Sequence, residues 1–187
     1  MRIVAGEYSS RKIEAPKGNT TRPTLDKVRE AVFSSLGGFF AGGVFLDLYA
    51  GSGANGLEAI SRGFDQAVFV DNSRDAVSVI RRNIASLGCQ DKCRVLPMRA
   101  DKALHLLKEE GITFDLVYLD PPYARQENDR VIRWLAENNM MNPEGRIVIE
   151  SLKEDSFTQD YGPIEYYKET VYGISRITYL KNEGDQK

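Results

Sequence analysis

From Val44 onward, the hydrophobic positions switch repeatedly between two spacings. Val44 to Tyr49, Ala67 to Asp71, Arg94 to Met98, Phe114 to Leu119 and Gly145 to Ser151 are short apolar-rich runs, which predict strands. Between them lie helical patterns: from the glycine-spaced turn at Gly51–Gly56 to about Arg62, closed by Gly63; Arg74 to Leu87, with Val77, Ile80, Ile84 and Leu87 on one face and Gly88 as its stop; Lys102 to Glu110; and Asp129 to Glu137, where Trp134 reads as core. Two β-rich runs, Ile164 to Thr170 and Ile174 to Leu180, flank Val171-Tyr172-Gly173 and predict a closing antiparallel hairpin. Ahead of this body, Arg2 to Ala5 and Arg11 to Ala15 read as a small hairpin, broken by Pro16-Lys17-Gly18-Asn19. Thr24 is placed to cap a helix with apolar positions Leu25, Val28, Val32, Phe33 and Leu36, ended by Gly37-Gly38. Its polar face would carry Lys27 and Arg29 outward. Alternating units with acids at strand ends predict a doubly wound α/β sheet whose ligand sits beyond the carboxyl ends of its strands.

At 187 residues the chain has room for one globular core. Residues 37–187 are expected to form it, with residues 1–36 packed on it as an extension. The start of the chain has no signal-peptide core and no apolar run is long enough for a bilayer, so a cytoplasmic protein is expected, acting as a monomer. Cys89 and Cys93 flank Gln90-Asp91-Lys92 and the only histidine is His105, too few ligands for a zinc site; the thiols are expected to be reduced. The net charge of −2 hides an asymmetry. Between Met1 and Leu36 seven positive and four negative side chains give +3, leaving −5 for the rest. Such a basic end fits either a face that meets phosphates or a solvated charged arm.

The candidate chemistry begins at Asp47-Leu48-Tyr49-Ala50-Gly51-Ser52-Gly53-Ala54-Asn55-Gly56, where Gly51, Gly53 and Gly56 fit the nucleotide-binding spacing G-x-G-x-x-G. Asp47 sits where a dinucleotide would bring its pyrophosphate, an unfavourable pairing of like charges. An ammonium and a sulfonium would be attracted there instead, which points to S-adenosylmethionine. Asp71, at the end of the second strand, can accept both ribose hydroxyls, and Asp101 can accept from an adenine amino group or cap a helix. Tyr49, Ser52 and Asn72 complete the candidate cofactor residues. After the fourth strand comes Asp120-Pro121-Pro122-Tyr123. Its prolines stiffen the turn, so the Asp120 carboxylate and the Pro121 carbonyl present acceptors in a fixed geometry. Two such acceptors suit the two N–H donors of a nucleobase amine and favour the positive charge that grows on it during methyl transfer, while Tyr123 can stack on the base.

With these residues the chain resembles the RsmD family, bacterial methyltransferases that modify the guanine N2 amine in small-subunit (16S) ribosomal RNA. The resemblance runs over nearly the whole chain. It rests on Met1-Arg2-Ile3-Val4-Ala5-Gly6, Thr21-Arg22-Pro23-Thr24, Val28-Arg29-Glu30-Ala31, Leu46 to Gly53, Gly56-Leu57-Glu58-Ala59, Ser61-Arg62-Gly63 and Leu119 to Tyr123. It implies a Rossmann-like class I S-adenosylmethionine-dependent fold and a cofactor lying along Asp47, Gly51, Gly53, Asp71 and Asp101. It also implies a target base at Asp120, Pro121, Pro122 and Tyr123, and ribosomal RNA or an assembling small subunit as partner. Arg22 and Arg29 would lie near RNA backbone, with Arg2, Arg11 and Lys12 as further basic candidates. Two positions depart from the family pattern: Ser9-Ser10-Arg11 stands where Arg-Gly-Arg is frequent, and Asn55 where an apolar residue is usual. Three alternatives stay open at this point. They are an adenine-N6 enzyme, which uses the same tetrapeptide, an NAD-dependent oxidoreductase, and an RNA-binding module without catalysis.

Overall fold

The computed structural model describes residues 1–18, 23–122 and 124–184, which fall into two compact units, Met1–Ala103 and Leu104–Lys187. The first unit holds α1 (Pro23–Ser35), β1 (Val44–Asp47), α2 (Ala54–Ser61), β2 (Gln66–Val70), α3 (Arg74–Leu87), β3 (Cys93–Leu96) and the start of α4 (Ala100–Glu109). Its strands lie in the order β3-β2-β1, all parallel, with Leu46 opposite Val68 and Phe69 opposite Val95. Ala67 to Val70 are buried without alternation, as a parallel strand covered on both faces requires. The α3 helix follows its sequence signals closely. Ser73 Oγ accepts from the Ala76 amide at 3.3 Å, Asp75 lies in the first turn, Gly88 closes the helix at φ 68°, and Val77, Ile80, Ile84 and Leu87 are all buried.

The first residues form the expected hairpin, reduced to one bridge between Arg2 and Lys12 and main-chain bonds such as Ile3 N to Arg11 O at 2.9 Å. Ser10 takes a φ of 69°, a conformation natural to glycine, which explains why a glycine suits this place in the family pattern. The hairpin is tied down by side chains of the first unit. The Val4 and Ala5 amides donate to Glu58 at 2.9 and 3.2 Å, the Tyr8 amide to Ser61 Oγ at 2.9 Å, and Glu14 exchanges bonds with the Asn83 amide group at 2.8 and 2.9 Å. Residues 1–36 therefore belong to the first unit.

Two expectations for α1 need correction. The helix starts at Pro23, whose missing amide suits a first helical position, so Thr24 lies inside the helix and is not its cap. Arg29 does not face outward: it is 4% exposed and held by two carboxylates. Leu25, by contrast, is 43% exposed.

The second unit contains β4 (Phe114–Leu119), α5 (Ala124–Glu137), β5 (Met141–Leu152), β6 (Ile164–Tyr172) and β7 (Ser175–Asn182), with strand order β4-β5-β7-β6. β4 and β5 are parallel; β5 with β7 and β7 with β6 are antiparallel. The predicted closing hairpin is present, turning at Gly173 with φ 61°. α5 starts five residues ahead of Asp129, because Arg125, Gln126 and Glu127 favour helix without adding to an apolar face. β5 begins at Met141, earlier than Gly145, and its register with β4 shifts between Phe114 and Leu116.

Candidate active site

The glycine turn joins β1 to α2, and its three glycines are required for two different reasons. Gly51 and Gly53 hold φ of 58° and 82°, which side-chain-bearing residues adopt at a cost. Gly56 is helical and needs space: an added Cβ would lie 2.7 Å from Cζ of the fully buried Phe69 ring and closer still to Cε1. That contact brings α2 down onto β2, as the third glycine of the motif is expected to do.

Three amides of the turn that could meet an anion are taken by side-chain oxygens, and the Gly53 amide is taken by the Ala50 carbonyl at 2.8 Å. The Gly51 amide donates to Asp71 Oδ2 at 2.9 Å, the Ala54 amide to Ser52 Oγ at 3.2 Å and the Gly56 amide to Asp47 Oδ2 at 3.2 Å. The second oxygen of Asp71 accepts from Ser73 N at 2.9 Å, which fixes the carboxylate at the end of β2. Asp47 is 2% exposed. Burial raises its pKa to about 7, the Gly56 amide acts in the opposite direction, and the charge of Asp71 adds to the rise. The structure thus brings Asp47, Gly51, Ser52, Gly53 and Asp71 together around one turn, with Tyr49 half-buried at its entrance and Asn72 exposed just beyond Asp71.

Asp101 belongs to the same unit but lies in the first turn of α4, so it does not cap the helix. It is exposed and pairs with Arg99 Nε at 3.1 Å. Desolvation acts to raise its pKa, but the Arg99 hydrogen bond and charge and the Lys102 amide together bring it below the ordinary carboxylate value.

In the second unit, the buried run Leu116–Leu119 delivers Asp120 to the surface at the end of β4. Pro121 is buried and Pro122 exposed, so the corner is anchored on one side and open on the other. Tyr123 lies outside the described residues. Beneath the corner, Tyr118 OH donates to Glu150 Oε2 on β5 at 3.0 Å. Burial raises the Glu150 pKa against the lowering effect of that bond.

Of the basic candidates, Arg2, Arg11 and Lys12 are exposed on the hairpin, and Arg11 Nη2 donates to the Ser86 carbonyl at 2.7 Å. Arg22 lies outside the described residues. Arg29 is buried because Asp26, at 2.8 Å, and Glu58, at 3.5 Å, compensate its charge, and it donates to the Arg2 carbonyl. A guanidinium so enclosed cannot meet a phosphate. Glu58, fully buried, also takes Arg62 Nε at 2.9 Å. The convergence of charge on Glu58 is not among the sequence expectations; the signal available was Arg62 four residues further along, at the C-cap of α2. Cys89 is buried and Cys93 partly so, both free thiols, with sulfurs 3.7 Å apart.

The chain matches the family described as "Conserved hypothetical protein 95" over residues 1–181. It is 34% identical over 184 residues to the putative rRNA methyltransferase YlbH of Bacillus subtilis, which covers 98% of this chain and 100% of that protein. It is 31% identical over 173 residues to ribosomal RNA small subunit methyltransferase D of Escherichia coli, covering 92% and 85% respectively. The solved structure of the putative methyltransferase yhhF from Escherichia coli aligns with a TM-score of 0.83 at 30% identity, over 99% of both chains. The fold is that of the Rossmann-like class I methyltransferases.

Proposed function

The chain belongs to the RsmD family, and on that premise we propose that it transfers a methyl group from S-adenosylmethionine to the exocyclic N2 amine of a guanine in small-subunit ribosomal RNA. The observation that carries this reading is the occupancy of the glycine turn by carboxylates. In a dinucleotide-binding turn, free amides receive a pyrophosphate. Here Asp71 and Asp47 take the Gly51 and Gly56 amides, and the site is acidic. That set of acceptors suits a ligand with cationic groups and a ribose, and argues against the NAD-dependent alternative. Asp47, Gly51, Gly53 and Asp71 would hold the cofactor, with Asp101 toward its adenine; when bound, it supplies an electrophilic methyl group on a sulfonium.

The chain's own residues then have to hold the target amine. Its lone pair is delocalised into the base, so the nitrogen becomes nucleophilic only as it is drawn out of the base plane. Asp120 and the Pro121 carbonyl are assigned to accept its two N–H groups and to stabilise the charge that develops there. The role assigned to Asp120 is orientation and electrostatics, with proton loss following methyl transfer. Incubation with labelled cofactor and 16S ribosomal RNA, followed by nucleoside analysis, should give N2-methylguanosine. N6-methyladenosine as sole product would establish the adenine alternative, and no transfer to RNA would refute the proposal.

The raised pKa of Asp47 carries a pH signature. Between about pH 4 and pH 7 the folded, ligand-free protein holds a proton at Asp47 that the unfolded chain has lost, so this group's stabilising effect declines as pH rises through that window. A cationic ligand favours the carboxylate and expels that proton. Cofactor affinity should therefore be up to about tenfold weaker at pH 6 than at pH 8, with proton release visible by calorimetry in buffers of different ionisation enthalpy. Asp47→Asn should flatten the profile. An affinity independent of pH in the unaltered protein would remove Asp47 from the ligand's surroundings.

A further inference from the structure

Along the outer face of α3 runs a cavity of about 620 Å³ lined by Asn72, Arg74, Val77, Ser78, Arg81, Arg82, Ala85 and Pro97. Three of these are arginines and none is acidic, in a chain whose net charge outside its first 36 residues is −5. Arg74 and Arg81 are exposed and, among the described residues, have no ion-pair partner. Arg82 is set in place by Glu14 at 3.0 Å and Ser78 Oγ at 2.8 Å. The nearest other carboxylate on the helix, Asp75, receives the Lys17 amide at 3.1 Å. At one end the groove starts at Asn72, next to Asp71; at the other, Arg11 lies on the Ser86 carbonyl. From Arg74 to Ala85 the helix rises about 16 Å, enough for more than one phosphate.

We propose that this arginine groove on α3 binds the phosphodiester backbone of the RNA substrate, leading the strand from the hairpin residues Arg11 and Lys12 past the cofactor turn. The inference rests on the function proposed above and adds a surface that the basic N-terminal segment alone does not supply. Guanidiniums with an open side suit phosphate oxygens bidentately. S-adenosylmethionine carries no phosphate and gains nothing from these arginines.

The test uses the full chain, a labelled 16S ribosomal RNA transcript and a salt series. The double variant R74E/R81E should bind that RNA at least tenfold more weakly at 50 mM salt, with a plot of log affinity against log salt shallower by about 1.4 to 1.8 for two lost phosphate contacts. Its cofactor affinity and its turnover at saturating RNA should stay at the starting values, and R74K/R81K should recover most of the RNA affinity. R74Q/R81Q, which adds no charge, serves should the glutamate variant fail to fold. Unchanged RNA affinity and salt slope in the glutamine variant, with the starting protein still methylating RNA, would overturn the groove and leave the proposed function standing. A starting protein that neither binds nor methylates ribosomal RNA would overturn both.

Discussion

Asp120→Ala should reduce methyl transfer to RNA by about 10²–10³-fold while leaving cofactor affinity within twofold of the starting protein. The asymmetry follows from where the residue lies. Asp120 stands at the end of β4 in the second compact unit, whereas the carboxylates assigned to the cofactor, Asp47, Asp71 and Asp101, all lie in the first. In the proposed reaction the amine offers two N–H groups, and both are to be held while positive charge grows on nitrogen. Alanine removes the anionic acceptor, leaving the Pro121 carbonyl, which is fixed by the chain and survives the substitution. Asp120→Asn restores an acceptor without the charge, so its activity should fall between the two. The loss should appear in single-turnover rate more than in the RNA concentration needed for half-saturation, because the contact strengthens as charge develops. Normal single-turnover kinetics in Asp120→Ala would remove Asp120 from the reacting centre.

The glycine turn and the bounds of α3 could be read before the fold was known because they depend on local chemistry. A glycine at φ 82° in the turn and a glycine closing α3 at φ 68° are needed by short stretches of backbone, and short stretches are what a sequence displays. The placement of β7 between β5 and β6 is of another kind, set by pairing between residues far apart in the chain. The exposure of Arg29 failed for a related reason. Helical periodicity places it on the polar side of α1, but the acid that draws it inward, Glu58, is 29 residues away and on a different helix. The α3 arginines escaped notice for the opposite reason: alternating with serine and alanine on a solvated face they look ordinary, and only the cavity they line shows that its lining includes no acid.

The convergence on Glu58 leads to the second large effect. Its two oxygens receive the Val4 and Ala5 amides and Arg62 Nε, with Arg29 Nε at 3.5 Å, all at a residue with no exposed surface. Removing this carboxylate would leave two guanidiniums, each 4% exposed, without a counter-charge on that side, and would free the first hairpin from α2. Breaking a buried ion pair from one side costs about 3–5 kcal/mol, which for a chain of this size lowers the melting temperature by roughly 6–20 °C. Glu58→Ala should fall in that range. Arg29→Glu should do at least as badly, since it sets two carboxylates against each other beside Asp26. The salt dependence separates this from a role in RNA binding. Enclosed charges are poorly screened, so the melting defect of Arg29→Glu should persist from 50 to 500 mM salt, whereas a phosphate contact would weaken steeply over that range. An Arg29→Glu protein that melted like the parent and lost RNA affinity only at low salt would return Arg29 to the surface and dissolve the anchoring role assigned to Glu58.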